Sequence, residues 1–205
     1  MIDKSTGERR GASQAASASG VADCLLADLN GILRGKRIAA AAIAKVRERG
    51  LNLPVSVFGS DITGKTVEQT RLGYLSGDKD GVCRPVDADP VPVPWAATPT
   101  VQMLLSMYLL DGSPFWGDPR HALARVIGRF DELGLRPVVA LETEFYLIDP
   151  KLDEHGRPAL VCNPVTGRTQ RETQVYSIQE IDDFAPIFDA IAAAAAAQGL
   201  PADAA

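Results

Sequence analysis

The sequence predicts an α+β protein in which an amino-terminal sheet domain precedes a second domain of helices and strands. Three features support this prediction. Asn30-Gly31 lies between two apolar runs, residues 137–149 are rich in β-branched and aromatic side chains, and residues 184–198 are rich in alanine. Hairpin, strand and helix signals therefore occur in one chain.

The composition is ordinary for a globular protein, with 46% hydrophobic and 23% charged residues among 205. The formal net charge is −5, and the scattered lysines and arginines argue against nucleic acid or an anionic membrane as a partner. Cys24, Cys83 and Cys162 are far apart and lack CxxC spacing, which disfavours zinc. The odd number and wide spacing of the cysteines, and the lack of a signal-peptide core or membrane-spanning run, lead us to expect a cytoplasmic protein.

The first structured element is predicted to be a β-hairpin. Residues 1–20 are small and polar without periodicity, which predicts a disordered tail. Apolar residues 22–29 and 32–38 flank Asn30-Gly31. Asn-Gly in this position favours a two-residue type I′ turn, because both turn residues then need a positive φ.

A helix and a third strand are predicted to follow the hairpin. Residues 39–49 are helix formers that end at Gly50, and residues 54–58 read as a strand. A hairpin, a helix and a strand in this order predict a β-grasp domain, which we assign to residues 21–113.

Residues 59–66 match the phosphate-binding pattern G-x-x-x-x-G-K-[ST] and follow a predicted strand. A P-loop must open an amphipathic helix, yet Gly73 and Gly77 interrupt the residues that follow. A P-loop nucleotide hydrolase therefore remains only the less favoured interpretation. From the residues alone, Asp61 is interpreted as a residue that caps a turn.

Three further elements are predicted before residue 134. Residues 75–84 read as an acidic loop, and the alternation over residues 100–110 favours a strand, although a helical stripe also fits. Asp118 and Pro119 are suited to the N-cap and first position of a helix. His121 would be a surface residue of its first turn. The helix is expected to bury an apolar stripe made of Leu123, Val126, Ile127, Phe130 and Leu133.

Residues 137–149 are predicted to form a buried strand between turn signals. Because side chains alternate along a strand, Glu142 and Glu144 share one face, with Cα atoms roughly 6.6 Å apart. This spacing suits two oxygen-ligated cations held side by side. If the two carboxylates are buried, they must be paired with another group or bound to metal. The alternative is the solvated face of an ordinary antiparallel strand.

The last residues are predicted to form a polar loop or hairpin and then helices. Residues 151–171 contain several turn formers, and Ser177 and Glu180 have the spacing of a capping box. Residues 184–198 are predicted to be a helix that stops at Gly199.

Several of these motifs resemble the glutamine synthetase family. Residues 140–147, Ala-Leu-Glu-Thr-Glu-Phe-Tyr-Leu, resemble the Glu-x-Glu-Phe strand that opens its catalytic domain. The motif Asp28-x-Asn30-Gly31-x-x-x-Gly35-Lys36 is similar to the entry hairpin of its N-terminal domain. Asp118-Pro119-Arg120 and its helix match what precedes the Glu-x-Glu strand. The entry hairpin resembles the branch that joins glutamate to amines, as γ-glutamylpolyamine synthetases do.

The resemblance implies a β-grasp domain followed by the start of a catalytic domain over residues 114–205. It implies that Glu142 and Glu144 ligate paired Mg²⁺ or Mn²⁺ ions. Asp61, with Asp80 as a second candidate, would help to bind ammonium or an amine. Intact family members use ATP to phosphorylate the γ-carboxylate of glutamate, ammonia or an amine then attacks, and the enzymes assemble as homo-oligomeric rings.

The sequence ends at Ala205, before the Glu-x-Gly-x-Gly-Gln strand that supplies further metal ligands in the family. We therefore expect an N-terminal fragment of a glutamate–ammonia or glutamate–amine ligase that is catalytically incompetent by itself. The alternative from a different class is a short binding or assembly module that associates with a full-length relative.

Overall fold

The computed structural model describes residues 20–87, 89–169 and 175–201. The chain divides into two compact units, residues 1–122 and 123–205. Both contain helices and strands, which confirms the α+β class. The predicted disordered tail lies outside the described residues except for Gly20. No helix of the described residues is both long and apolar enough to cross a membrane.

The first unit is built on one mixed sheet. In the described residues its strands are β1 (Val21–Ala27), β2 (Leu33–Ala39), β3 (Leu51–Pro54), β4 (Asp80–Pro85), β5 (Val91–Pro92) and β6 (Thr100–Tyr108). The strand order is β2-β1-β6-β4-β3, and β5 also pairs with β6. β1 runs parallel to β6, whereas the other pairs are antiparallel. The predicted strand near residues 100–110 is confirmed as β6, which lies between β1 and β4.

The predicted β1–β2 hairpin is confirmed, but the predicted turn type is wrong. Only Gly31 of the Asn-Gly pair has a positive φ, at 77°. The loop is longer than two residues, since the Asp28 N–H donates to the Ile32 carbonyl at 2.9 Å. The Asp28 carboxylate accepts hydrogen bonds from the N–H groups of Asn30 and Ile32, at 2.8 and 2.9 Å, and so stabilises this longer loop from within.

The predicted first helix is confirmed, and it packs on the sheet. A 3₁₀ turn at Ala40–Ala42 leads into α1 (Ile43–Arg49), and Gly50 ends α1 with a φ of 78°. Ile43 and Val46 are buried. They join a core supplied mainly by β1, β6 and the residues after β3, with Leu26, Phe58, Cys83, Met107 and Phe115 among its most buried members.

The predicted third strand, residues 54–58, is placed too far along the chain. The strand is β3, and Val55–Gly59 is a 3₁₀ helix. Val55 and Phe58 are both buried. A spacing of three residues puts them on one side of a 3₁₀ turn, whereas a strand would point them to opposite faces.

The predicted acidic loop over residues 75–84 is wrong from Asp80 onward, because β4 pairs with both β3 and β6. Its inward face carries Gly81 and Cys83, which give little apolar signal. A Cβ atom at Gly81 would lie 2.6 Å from the Met107 side chain. The missing side chain of Gly81 therefore leaves room for Met107 in the core.

The helices and strands after residue 118 are α2 (Pro119–Glu132), β7 (Ile148–Leu152), β8 (Pro158–Leu160), α3 (Ile178–Asp183) and α4 (Ala185–Ala197). β7 and β8 form the expected hairpin. Ser177 caps α3 as predicted, since its hydroxyl oxygen accepts from the Glu180 N–H at 3.3 Å. The alanine-rich helix is confirmed as α4.

The apolar stripe of α2 is not buried as predicted. Its side chains are exposed, at 59% for Leu123, 49% for Val126, 39% for Ile127, 38% for Phe130 and 72% for Leu133. The amphipathic pattern predicted the helix correctly. Burial also requires a covering element, and the described residues do not cover this stripe.

The predicted buried strand over residues 137–149 is also wrong. Residues 137–147 have no strand assignment, and the chain enters β7 only at Ile148. Val138 is 91% exposed and Leu141 is 94% exposed. A strand needs a neighbour for its backbone groups and a layer for its apolar face. In the described residues the Val161 N–H donates to the Leu147 carbonyl at 3.3 Å, next to the start of β7, but Val138 and Leu141 have no covering layer.

Candidate functional site

The two glutamates of the Glu-x-Glu motif lie in the exposed segment that precedes β7. Glu142 and Glu144 are both exposed, as are the neighbouring side chains of Leu141 and Phe145. No group of three or more His, Cys, Asp or Glu side chains in the described residues could hold a metal ion. Carboxylate oxygens are the donors that Mg²⁺ and Mn²⁺ prefer, so the donor type fits, but these residues supply no third ligand.

Asp61 lies in a closed loop and is hydrogen-bonded to it. Ser60 and Thr66 form an antiparallel bridge at the base of the loop. Asp61 Oδ1 accepts hydrogen bonds from the Thr63 hydroxyl at 2.7 Å, the Thr63 N–H at 2.8 Å and the Lys65 N–H at 3.0 Å. The Thr63 hydroxyl, followed by the Lys65 N–H, lowers the pKa of Asp61. Asp61 therefore caps a turn and is held as a carboxylate.

The same contacts show that residues 59–66 are not a P-loop. The Asp61 carboxylate occupies N–H groups of the loop that a phosphate would need. The next element is a single 3₁₀ turn, Glu68–Thr70, and no α-helix of the described residues starts at Lys65 or Thr66. The P-loop interpretation is therefore wrong.

The tip of the β1–β2 hairpin supports the Asp61 loop. The Asn30 side-chain amide donates to the Ser60 carbonyl at 3.0 Å. Arg34 Nε donates to Asp28 Oδ2 at 3.0 Å, and a Cβ atom on Gly64 would lie 3.4 Å from the guanidinium of Arg34. The sequence analysis missed this link. Asp28 and Asn30 belong to the hairpin motif, but only the fold shows what they contact.

Asp80 lies at a cleft of about 480 Å³ in the first unit. It is the first residue of β4, it is exposed, and it pairs with Pro54 across the ladder. Ten residues line the cleft, namely Val55, Arg71, Leu72, Ser76, Lys79, Asp80, Leu109, Leu110, Asp111 and Phe115. Asp61 is not one of them, so the structure does not place the two predicted amine-site carboxylates in one cavity.

Asp118 and His121 connect the start of α2 to the end of β6. Asp118 Oδ1 accepts from the Arg120 N–H at 2.8 Å, which confirms the predicted N-cap, and Oδ2 accepts from the Met107 N–H at 2.7 Å. His121 Nε2 lies 2.9 Å from the Met107 carbonyl, and its ring packs edge-on against Tyr108 at 4.8 Å. His121 is therefore a half-buried connecting residue, and its prediction as a surface residue was wrong.

Comparison with solved structures identifies the type of fold. The structure resembles a crystal structure described as a novel glutamine synthase homolog, with a TM-score of 0.63 and 16% identity over 88% of this chain and 39% of that one. It also resembles apo GmaS without ligand, with a TM-score of 0.57 and 16% identity over 88% of this chain and 38% of that one. The fold is therefore of the glutamine synthetase type.

Sequence comparison gives the family. Residues 116–205 match the family model for the glutamine synthetase catalytic domain. The chain is 42% identical over 183 residues to γ-glutamylputrescine synthetase PuuA of Escherichia coli. It is 31% identical over 140 residues to glutamine synthetase of Mycobacterium tuberculosis, covering 66% of this chain and 29% of that protein. The sequence and the fold therefore both match the glutamine synthetase family. The match to PuuA covers 88% of this chain but 38% of PuuA.

Proposed function

We propose that this chain is the N-terminal portion of an ATP-dependent ligase that joins glutamate to ammonia or an amine. The observation that carries the proposal is the Glu-x-Glu-Phe motif at residues 142–145, inside the region matched by the catalytic-domain family model. The higher identity to γ-glutamylputrescine synthetase, 42% against 31% to glutamine synthetase, favours an amine as the nucleophile.

Glu142 and Glu144 are the proposed metal ligands. Their carboxylates would hold Mg²⁺ or Mn²⁺, which supplies charge neutralisation and orientation for phosphoryl transfer when bound. The two side chains are accessible and carry the donor type that these metals prefer. Further ligands would have to come from outside the described residues.

Asp61 is the proposed amine-binding carboxylate, with Asp80 as the second candidate. An amine is captured as a cation, which a carboxylate attracts, and must lose a proton before it attacks. The hydrogen bonds to Asp61 all end on Oδ1, so Oδ2 remains available to a cation. The lowered pKa of Asp61 keeps that oxygen anionic near neutral pH.

The remaining parts of the proposal concern the whole protein. We assign the first unit to the β-grasp class, because its hairpin, helix and mixed sheet follow the predicted order. Assembly as a homo-oligomeric ring is carried over from the family. A cytoplasmic location is consistent with Cys24, Cys83 and Cys162, all of which are free.

A chimera tests the ligase proposal. The chain would be joined to the part of E. coli PuuA that lies beyond the matched region, and ATP-dependent glutamylation of putrescine and of ammonia would be measured. We expect activity in the chimera, preference for putrescine, and loss of activity in Glu142→Gln and Glu144→Gln. Glu154→Gln, an exposed glutamate of the β7–β8 hairpin, is the matched control.

The chain by itself is expected to be inactive, because the described residues gather no third metal ligand around Glu142 and Glu144. Turnover of ATP with glutamate and an amine by the purified chain would contradict this part of the proposal. Full activity of the Glu142→Gln chimera would contradict the metal-ligand assignment.

A further inference from the structure

We propose that the cleft of the first unit binds a small zwitterion with an apolar side chain, such as a free amino acid. The volume of about 480 Å³ is within the range of small-molecule sites. Leu72, Leu109 and Phe115 are among its apolar lining residues, and Phe115 is only 2% exposed. An apolar side chain could pack on this lining and be removed from water.

Charged groups of both signs surround the apolar lining. Arg71 and Lys79 are the cations, and Asp80 and Asp111 are the anions. Within the described residues, the side chains of Arg71, Lys79 and Asp80 have no hydrogen bond or ion pair. Asp111 uses Oδ1 to accept from the N–H and hydroxyl of Ser113, at 2.9 and 2.7 Å, which leaves Oδ2 available.

The backbone beside the cleft is strained at two positions. Arg71 has a φ of 58° and Asp78 a φ of 40°, in the left-handed region that side-chain-bearing residues rarely adopt. Asp78 also has a buried carboxylate oxygen, Oδ1, without a hydrogen-bond partner among the described residues. Such strain and unsatisfied polar atoms are concentrated at ligand sites in proteins.

The mixture of charges selects the class of ligand. A simple anion would approach Arg71 and Lys79 but would be repelled by the nearby carboxylates. A simple amine would approach Asp80 and Asp111 but would be repelled by the cations. A zwitterion presents a carboxylate to the cations and an ammonium group to the anions, while its apolar side chain covers the lining.

A titration of the full chain with L-phenylalanine tests the proposal. Backbone amide signals in nuclear magnetic resonance spectra would locate the site, and calorimetry would give the affinity. We expect saturable shifts at Leu72, Ser76 and Leu109, with weaker binding of 2-phenylethylamine, which lacks the carboxylate, and of 3-phenylpropanoate, which lacks the ammonium group. Loss of a charge-assisted contact should weaken binding roughly tenfold.

Two variants test the charged groups. Arg71→Gly removes the cation and suits the positive φ, so the loop conformation should persist. Asp80→Asn removes one anion. Each is expected to weaken phenylalanine binding roughly tenfold, whereas Lys45→Ala and Asp87→Asn, exposed charges outside the cleft lining, should leave it unchanged.

Three results would overturn the proposal. They are the lack of saturable binding, equal binding of 2-phenylethylamine and phenylalanine, and binding that neither cleft variant changes. The proposal does not depend on the ligase assignment. Metal binding at Glu142 and Glu144 and amino-acid binding in the cleft are measured separately, so either can fail without the other.

Discussion

Gly35 lies so close to the neighbouring strand that a Cβ atom there would be 1.8 Å from the Cys24 carbonyl oxygen. Backbone cannot move aside as a flexible side chain can. We expect Gly35→Ala to destabilise the first unit by at least about 3 kcal/mol, measured by urea unfolding. Gly31→Ala is the control in the same hairpin. No atom lies within 4 Å of its Cβ position, so only the positive φ costs free energy, about 1–2 kcal/mol. Equal losses for the two variants would contradict the close approach at Gly35.

Asp28 is a buried carboxylate whose side chain is 1% exposed. Burial acts to raise its pKa, but hydrogen bonds from the Ile32 N–H, Arg34 and the Asn30 N–H outweigh burial and lower it. A lowered folded-state pKa stabilises the fold above the unfolded-state pKa, and this contribution is lost as the pH falls through the folded-state value. We therefore expect stability to fall below about pH 4.

Asp28→Asn tests this contribution. It should lower the free energy of unfolding at pH 7 by about 1–3 kcal/mol and reduce the loss of stability in acid. Asp23→Asn, which removes an exposed ion pair with Arg37, should cost less than about 1 kcal/mol. If Asp28→Asn left both the stability and its acid dependence unchanged, the loop would not depend on the carboxylate.

At the scale of elements, mutation can show whether the apolar stripe of α2 is covered or exposed to solvent. Because Leu123 and Val126 are exposed, replacing either by Gln should change the free energy of unfolding by less than about 1 kcal/mol. Ile43→Gln on α1 places an amide in the core and should cost at least about 3 kcal/mol. Chemical denaturation provides the measurement. A loss at Leu123 as large as that at Ile43 would show that α2 is covered.

Elements whose signals are local were predicted well. β6 alternates apolar residues, α2 has an N-cap at Asp118, and α4 is rich in alanine, so each carries its own pattern. β4 was missed because Gly81 and Cys83 give a weak signal, and its identity comes from two partner strands. The strand predicted over residues 137–149 failed for the opposite reason, since its pattern is strong but strand pairing in the described residues begins only at Ile148, which pairs with Leu160.

At the scale of the whole molecule, the family was predictable from three short motifs in the correct order, and sequence comparison confirms it. The candidate site was less predictable. Sequence spacing suggested Glu142 and Glu144, but not the exposure of the segment that carries them. Nor did it suggest the link from Asn30 to Ser60, because 30 residues separate the two positions. Contacts between residues this far apart in the sequence form only when the sheet has assembled.

The central claim, that Glu142 and Glu144 are metal ligands, is tested most directly by adding substoichiometric Mn²⁺ to the isotope-labelled chain. Paramagnetic broadening reports even weak binding at the residues nearest the ion. We predict that amide signals of residues 141–145 broaden first, that Glu142→Gln and Glu144→Gln abolish this preference, and that Glu154→Gln does not. Uniform broadening, or broadening at residues 141–145 that persists in both glutamate variants, would contradict the claim.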